Sequence, residues 1–142
     1  MKAKTNLGGL LGKSSRLMSN ALDAKLKCMG LTSQQWSLMA ELASVGGRNQ
    51  TELAQALLKN KASVGSLIDY LEKKNCITRK ASPKDRRETI VELTPTGWAL
   101  FGESTPLARE IIDQATNGLP QGELATTLTV LKQIIHNLER NQ

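Results

Sequence analysis

The sequence predicts a mainly α fold, a winged helix-turn-helix with long N- and C-terminal helices and one β-hairpin wing. Three observations lead there. The 142 residues hold only four aromatics, Trp36, Tyr70, Trp98 and Phe101, so Leu, Ile, Ala and Met at helical spacing must supply the packing. Two short helical segments, read as Gln50–Leu58 and Lys61–Lys74, are joined by a tight connection. Two β-branched runs, Ile77–Ala81 and Thr89–Leu93, follow directly, and the polar stretch Ser82-Pro-Lys-Asp-Arg-Arg-Glu88 between them reads as a longer than minimal hairpin loop.

Each element carries its own signal. Leu7, Leu10, Leu11, Leu17, Met18, Leu22, Leu26 and Met29 recur at helical spacing and define a first helix ending near Gly30. Thr32 with Gln35 forms a capping box for a second helix through Trp36, Met39, Leu42 and Ala43, which Gly46-Gly47 stops. Asn49 with Glu52 repeats the start signal for the third helix. Asn60 caps the fourth, whose Val64, Leu67, Ile68 and Leu71 face the core, and Asn75 sits where a left-handed residue is wanted. Thr94-Pro95 gives a cap and a first-turn proline to a fifth helix through Trp98, Leu100, Phe101, Leu107, Ile111 and Ile112, with a kink expected at Pro106. Asn117-Gly118 ends it, and Leu124, Leu128, Leu131, Ile135 and Leu138 mark a final helix. No repeat, low-complexity tract or linker interrupts the series, so residues 1–142 read as a single domain.

The charge is concentrated. Lys59 to Arg87 carries nine Lys or Arg against three Asp or Glu, an excess equal to the +6 of the whole chain. Such a strip is an electrostatic footprint for a polyanion, because each phosphate it neutralises releases a condensed counterion. In a helix-turn-helix, the second short helix enters the major groove, which turns Lys61, Ser63, Gly65 and Ser66 towards DNA. Gly65 would let the backbone approach a phosphate or base closely. At the hairpin tip, Lys84, Asp85, Arg86 and Arg87 project outwards. The arginines suit the negative potential of a narrow minor groove, and Asp85 is expected to orient one of them through a charge-assisted pair.

Other classes fit poorly. No apolar run approaches the roughly 20 residues that span a bilayer, and Lys13 and Arg16 interrupt any signal-peptide core, so no membrane partner is expected. Cys28 and Cys76 lack paired spacing and suit a reducing compartment, and the chain reads as soluble and cytoplasmic. The one histidine, His136, has no nucleophile–carboxylate constellation, and neither a phosphate loop nor metal-ligand spacing is present. No enzyme activity, cofactor or metal site is expected. RNA binding lacks its sheet of stacking aromatics.

Several stretches resemble the multiple-antibiotic-resistance regulator (MarR) family of bacterial transcription factors. Lys61-Ala-Ser-Val-Gly-Ser-Leu-Ile-Asp-Tyr-Leu-Glu-Lys-Lys74 is similar to its recognition helix. Ile77-Thr-Arg79, Ser82-Pro-Lys-Asp-Arg-Arg87 and Val91-Glu-Leu-Thr-Pro-Thr-Gly97 resemble its wing and the exit from it, and Gly30-Leu-Thr-Ser-Gln-Gln-Trp36 resembles the approach to its second helix. The resemblance covers nearly the whole chain in the expected order. It implies an obligate homodimer with intertwined dimerisation helices (about 7–29 and 99–140) around a DNA-binding lobe (about 32–95). It also implies a pseudo-palindromic operator with half-sites about one helical turn apart. Such proteins are usually repressors relieved by a small molecule, often an anionic aromatic or phenolic one.

Carried onto this chain, Arg87 matches the minor-groove arginine, Asp85 its companion carboxylate, and Ser63 and Ser66 the reading face. Ser66 and Tyr70 stand where relatives often carry arginine, which removes two potential DNA contacts, while Asn75 replaces a common glycine. The implied ligand pocket would draw on Ser15, Arg16, Met18 and Ser19 of the first helix and Trp36, Met39 and Ala40 of the second. Arg16 could pair with a ligand carboxylate there. Two other readings remain: a winged helix used for protein–protein contact, and a redox-responsive regulator using Cys28 or Cys76. Cys76 by default reads as a small buried hydrophobe.

Overall fold

In the computed structural model of the chain, residues 2–140 are described. The elements are α1 (Lys2–Leu26), a 3-10 turn (Lys27–Met29), α2 (Ser33–Val45), α3 (Gln50–Leu57), α4 (Lys61–Lys73), β1 (Ile77–Ala81), β2 (Thr89–Leu93), α5 (Pro95–Ala115) and α6 (Gln121–Glu139). The mainly α winged helix-turn-helix class is therefore what the chain adopts. One compact unit runs to Ile111, and a second, beginning at Ile112, holds the end of α5 and all of α6.

The capping signals fold as the sequence directs. Thr32 Oγ1 accepts from the Gln35 N–H at 3.2 Å, while Gln35 Oε1 accepts from the Thr32 N–H at 2.9 Å. Asn49 and Glu52 make the same reciprocal pair at 2.7 and 3.0 Å. Asn60 Oδ1 accepts from the Ser63 N–H at 2.7 Å, so α4 starts where Asn60 places it. Asn75 is left-handed at φ 62°, as anticipated. A second left-handed residue was not: Leu58, between α3 and α4, has φ 51° although its branched side chain pays a steric penalty there.

β1 and β2 pair antiparallel with Ile77 opposite Leu93 and Arg79 opposite Val91. The free edge of β2 is covered in part by Arg48, which exchanges two backbone bonds with Val91 at 3.0 and 2.7 Å. This anchors the wing to the α2–α3 connection, a link that a single residue cannot announce in sequence. Inside the first unit, Leu26, Leu38, Met39, Leu42, Leu53, Val64, Ile68, Leu71 and Ile77 are buried around one core. The fifth helix runs unbroken through Pro106. Proline offers no N–H there, but the Ser104 and Thr105 hydroxyls both donate to the Phe101 carbonyl at 2.8 Å, supplying extra bonds in the preceding turn.

Both ends of the wing meet at one crossing. Thr94 donates from its hydroxyl to the Asn75 carbonyl (2.5 Å) and from its N–H to the Cys76 carbonyl (3.0 Å). The same hydroxyl accepts from the Gly97 N–H at 3.0 Å, capping α5. A Cβ at Gly97 would overlap the Cys76 carbonyl, so the first turn of α5 can lie on the α4–β1 joint only because residue 97 is glycine. Gly97→Ala is expected to destabilise the fold by about 1–3 kcal/mol through this overpacking, measured by urea denaturation.

Cys76 is buried at the crossing, as its hydrophobic reading requires, whereas Cys28 is exposed. Burial, opposed weakly by the Lys74 charge, raises the Cys76 thiol above its ordinary value of 9.0. The folded protein keeps a thiol proton that the unfolded chain releases, so this contribution is level below the ordinary thiol range and falls as pH rises through it. Cys76→Ala should flatten that alkaline slope. In native protein a disulfide reagent should modify Cys28 promptly and Cys76 only as the chain unfolds, which thiol titration against time will show.

Candidate nucleic-acid interface

The exposed face of α4 begins at its N-terminus. Lys61, Ser63 and Ser66 are exposed, while Val64, Ile68 and Leu71 are buried and Leu67 is half-buried against the core. The Ser66 hydroxyl donates to the Ala62 carbonyl at 3.2 Å, which leaves its oxygen free to accept. Gly65 also makes room for a neighbour within the helix-turn-helix. Gln50 reaches across from the start of α3 and donates from Nε2 to the Lys61 carbonyl at 2.7 Å. A Cβ at Gly65 would lie 3.0 Å from that nitrogen, so the missing side chain makes room for Gln50.

The charges of the basic strip are sorted by sign. Arg79 on β1 binds Asp69 of α4 at 2.8 Å and also pairs with Glu72 of the same helix. Its hydrogen bond with Asp69, above all, raises the guanidinium further above its ordinary range, so Arg79 stays charged at any working pH. Lys80 pairs with Glu92 at 2.9 Å. Both carboxylates of α4 are thereby drawn to the wing strand, away from the helix start. Among the described residues, Lys61, Lys84 and Arg86 form no ion pair and remain available.

The wing tip is held by its backbone. Ser82 N–H donates to the Glu88 carbonyl at 2.8 Å, Lys84 N–H to the Ser82 hydroxyl at 3.2 Å, and Glu88 N–H to the Asp85 carbonyl at 3.0 Å. Asp85 Oδ1 accepts from the Arg87 N–H at 3.0 Å, but the Arg87 Nε lies 3.8 Å away with the side chain 96% exposed. Asp85 thus holds the turn through the Arg87 N–H and also forms a loose ion pair with the Arg87 guanidinium, in line with the sequence expectation. Glu88 Oε1 accepts from Asn49 Nδ2 at 2.8 Å, tying the foot of the tip to the residue that caps α3.

Tyr70 stays exposed, but its hydroxyl is engaged, donating to the Gly30 carbonyl at 2.7 Å. Sequence reasoning missed the positioning contacts of Gln50, Arg79, Asn49 and Tyr70. Only Asp69 and Glu72, three apart on one helix face, hinted at a cation to come.

The ligand candidates lie on α1 and α2. Ser15, Arg16 and Met18 are exposed on α1 and Ser19 is half-buried. The Arg16 guanidinium lies back along its own helix over Gly12. On α2, Met39 is wholly buried in the core and Ala40 half-buried. Trp36 stacks on Phe101 with ring centroids 5.6 Å apart and donates from its indole N–H to buried Ser104 at 2.8 Å. A cavity of about 290 Å³ lies elsewhere, lined by Gln50, Ile68, Arg79, Thr89 and Val91 behind the basic strip. Among the described residues no helix is long and apolar enough to cross a membrane, and no cluster of three His, Cys, Asp or Glu could hold a metal.

Comparison with known proteins agrees with this geometry. A sequence profile described as the MarR family matches residues 29–88. The chain is 32% identical over 109 residues to the HTH-type transcriptional repressor NicR of Pseudomonas putida, covering 77% of this chain and 69% of NicR. In fold it is similar to the transcriptional regulator BldR from Sulfolobus solfataricus (TM-score 0.87, 24% identity, 95% and 96% of the two chains). It is likewise similar to Bordetella bronchiseptica BpsR, whose DNA binding is regulated by 6-hydroxynicotinic acid (TM-score 0.80, 25% identity, 90% and 91%). With a free basic helix start, a wing carrying unpaired cations and these relatives, the chain belongs to the MarR family of DNA-binding transcriptional regulators, which are not enzymes.

Proposed function

We propose that this protein is a homodimeric repressor of a pseudo-palindromic operator, acting in the cytoplasm and released by a small anionic aromatic or phenolic ligand. The observation that carries the DNA part is the sorting of charge: the α4 acids are held by Arg79, while Lys61, Lys84 and Arg86 have no ion-pair partner and Arg87 is 96% exposed. Lys61, Ser63 and Ser66 would meet the major groove, and Lys84, Arg86 and Arg87 the adjoining backbone and minor groove. Gly65 and Asp85 complete the proposed DNA-binding set, Gly65 by admitting close approach of the backbone and Asp85 by holding the tip and pairing with Arg87. Residues 1–142 work as one winged-helix domain with dimerisation helices at about 7–29 and 99–140 and a DNA-binding lobe at about 32–95.

The dimer is supported by uncovered apolar surface. Leu10 and Leu17 on α1, and Leu128, Ile135 and Leu138 on α6, are each more than half exposed, and no residue of α6 is buried. An amphipathic helix with no covered stripe needs a partner, and a second copy supplies the same stripe in return. The ligand part is supported by NicR being a repressor and by BpsR responding to a hydroxylated aromatic acid. Ser15, Arg16, Met18, Ser19, Trp36, Met39 and Ala40 remain the proposed lining, with Arg16 able to leave its own helix for a carboxylate.

The test is a fluorescence-anisotropy titration against DNA from the protein's own promoter region at several salt concentrations, followed by a screen of aromatic acids for release. Binding that is tight, sequence-preferring and steeply salt-dependent supports the repressor, and indifference to sequence at every salt concentration removes it. Arg87→Ala should weaken operator binding roughly tenfold to a hundredfold in that assay. Removing residues 121–142 should abolish the dimer, and a folded, monodisperse dimer of the shortened chain in light scattering would refute the assembly.

A further inference from the structure

The joint between α1 and α2 is bonded within itself and offers two carbonyls, Met29 and Gly30, to donors from α4. Gly30, left-handed at φ 69°, donates its N–H to the Lys27 carbonyl at 3.0 Å, and Leu31 N–H returns to the Leu26 carbonyl at 3.2 Å. Asp23 of α1 accepts from the Ser33 N–H at 2.6 Å, fastening the first turn of α2 to α1. The Gly30 carbonyl is left over, and two donors from α4 converge on it. Tyr70 Oη donates at 2.7 Å and Lys74 Nζ at 3.1 Å, with the ammonium 5.3 Å from the Tyr70 ring centroid. Residues 70 and 74 are one helical turn apart, so both reach the same point from one face. A Cβ on residue 30 would occupy the place of the Lys74 ammonium.

We infer that Tyr70 and Lys74 are positioning residues for DNA binding, which set the angle at which α4 is presented to each half-site. This rests on the dimeric operator-binding reading above. The start of α4 is held by Asn60 and Gln50, both within the helix-turn-helix itself. Its end is held by Arg79 and Thr94 as well, and in addition by the carbonyl at the foot of α1, the helix that the dimer would use. The two donors therefore connect the DNA-reading element to the dimer frame, and the frame fixes how far apart two recognition helices lie. A lysine kept only for phosphate contact would have no reason to turn onto a backbone carbonyl beneath a tyrosine ring.

The probe is the duplex that the wild-type protein enriches from a randomised pool, together with versions carrying one base pair more or fewer between half-sites. One base pair moves a half-site by about 3.4 Å and rotates it by about 35°. The wild type should prefer its own spacing. Tyr70→Phe combined with Lys74→Met should bind that duplex on the order of fivefold to tenfold more weakly, yet lose little on the altered spacings, so the preference flattens. The log–log salt slope should stay the same, and Lys74→Arg alone should keep the preference.

Three results would overturn the inference. Equal weakening at every spacing would mean that the pair merely stabilises the fold. A slope lowered by about 0.9 would make Lys74 a phosphate contact. An unchanged preference in the double variant would mean that the contacts position nothing. A wild-type protein with no spacing preference would instead sink the operator-dimer reading on which the inference stands.

Discussion

The geometry of the DNA-binding lobe depends on one close crossing, where the start of α5 lies on the joint between α4 and β1. The Asn75 and Cys76 carbonyls both receive bonds from Thr94, and Gly97 presses against the second of them. The recognition helix runs into the crossing, the wing leaves it and returns to it, and the fifth helix starts from it. Fixing that point fixes the relative placement of all three. The neighbouring requirements are consequences: a left-handed Asn75 to turn the chain, a small apolar Cys76 beneath it, and a threonine whose hydroxyl can donate one way and accept the other.

Above that frame, the proposed DNA interface depends as much on removing charge as on displaying it. A recognition helix with two exposed carboxylates would repel a phosphate backbone. Arg79 answers both from the neighbouring strand, in a pair that also braces the wing against the helix. Exposed ion pairs add little to stability, so their worth here lies in where they leave the uncompensated cations. Those remain at the helix start and the hairpin tip, two places that a double helix can meet at once through adjacent grooves.

Much of this was legible in the sequence, for identifiable reasons. The caps at Thr32, Asn49 and Asn60 are local, three residues from their partners, and each formed as read. The strand limits were legible because β-branched runs were bounded by polar residues. What was hidden depends on contacts between distant residues. Gln50 meets Lys61, Asn49 meets Glu88, Arg79 meets Asp69 and Tyr70 meets Gly30, and no periodicity announces any of them. Asp85 was read as an arginine's partner and does pair loosely with Arg87, but its closer bond, to the Arg87 N–H in the turn, was not foreseen. Leu58 was placed at the end of its helix, but nothing in a leucine signals a left-handed conformation.

The Gln50 amide seated over Gly65 has a consequence for how this surface can diverge. A reading position near the start of a recognition helix is where a new operator preference would be expected to arise by substitution. At residue 65 a side chain would crowd the Gln50 amide, which must shift by a few tenths of an ångström to keep its bond to the Lys61 carbonyl. A shorter residue at position 50 would remove that crowding. Substitutions at the two sites should therefore be coupled. Ser63 and Ser66, which carry no such strut, are free to vary one at a time, so lineages descending from this sequence should retune specificity there first.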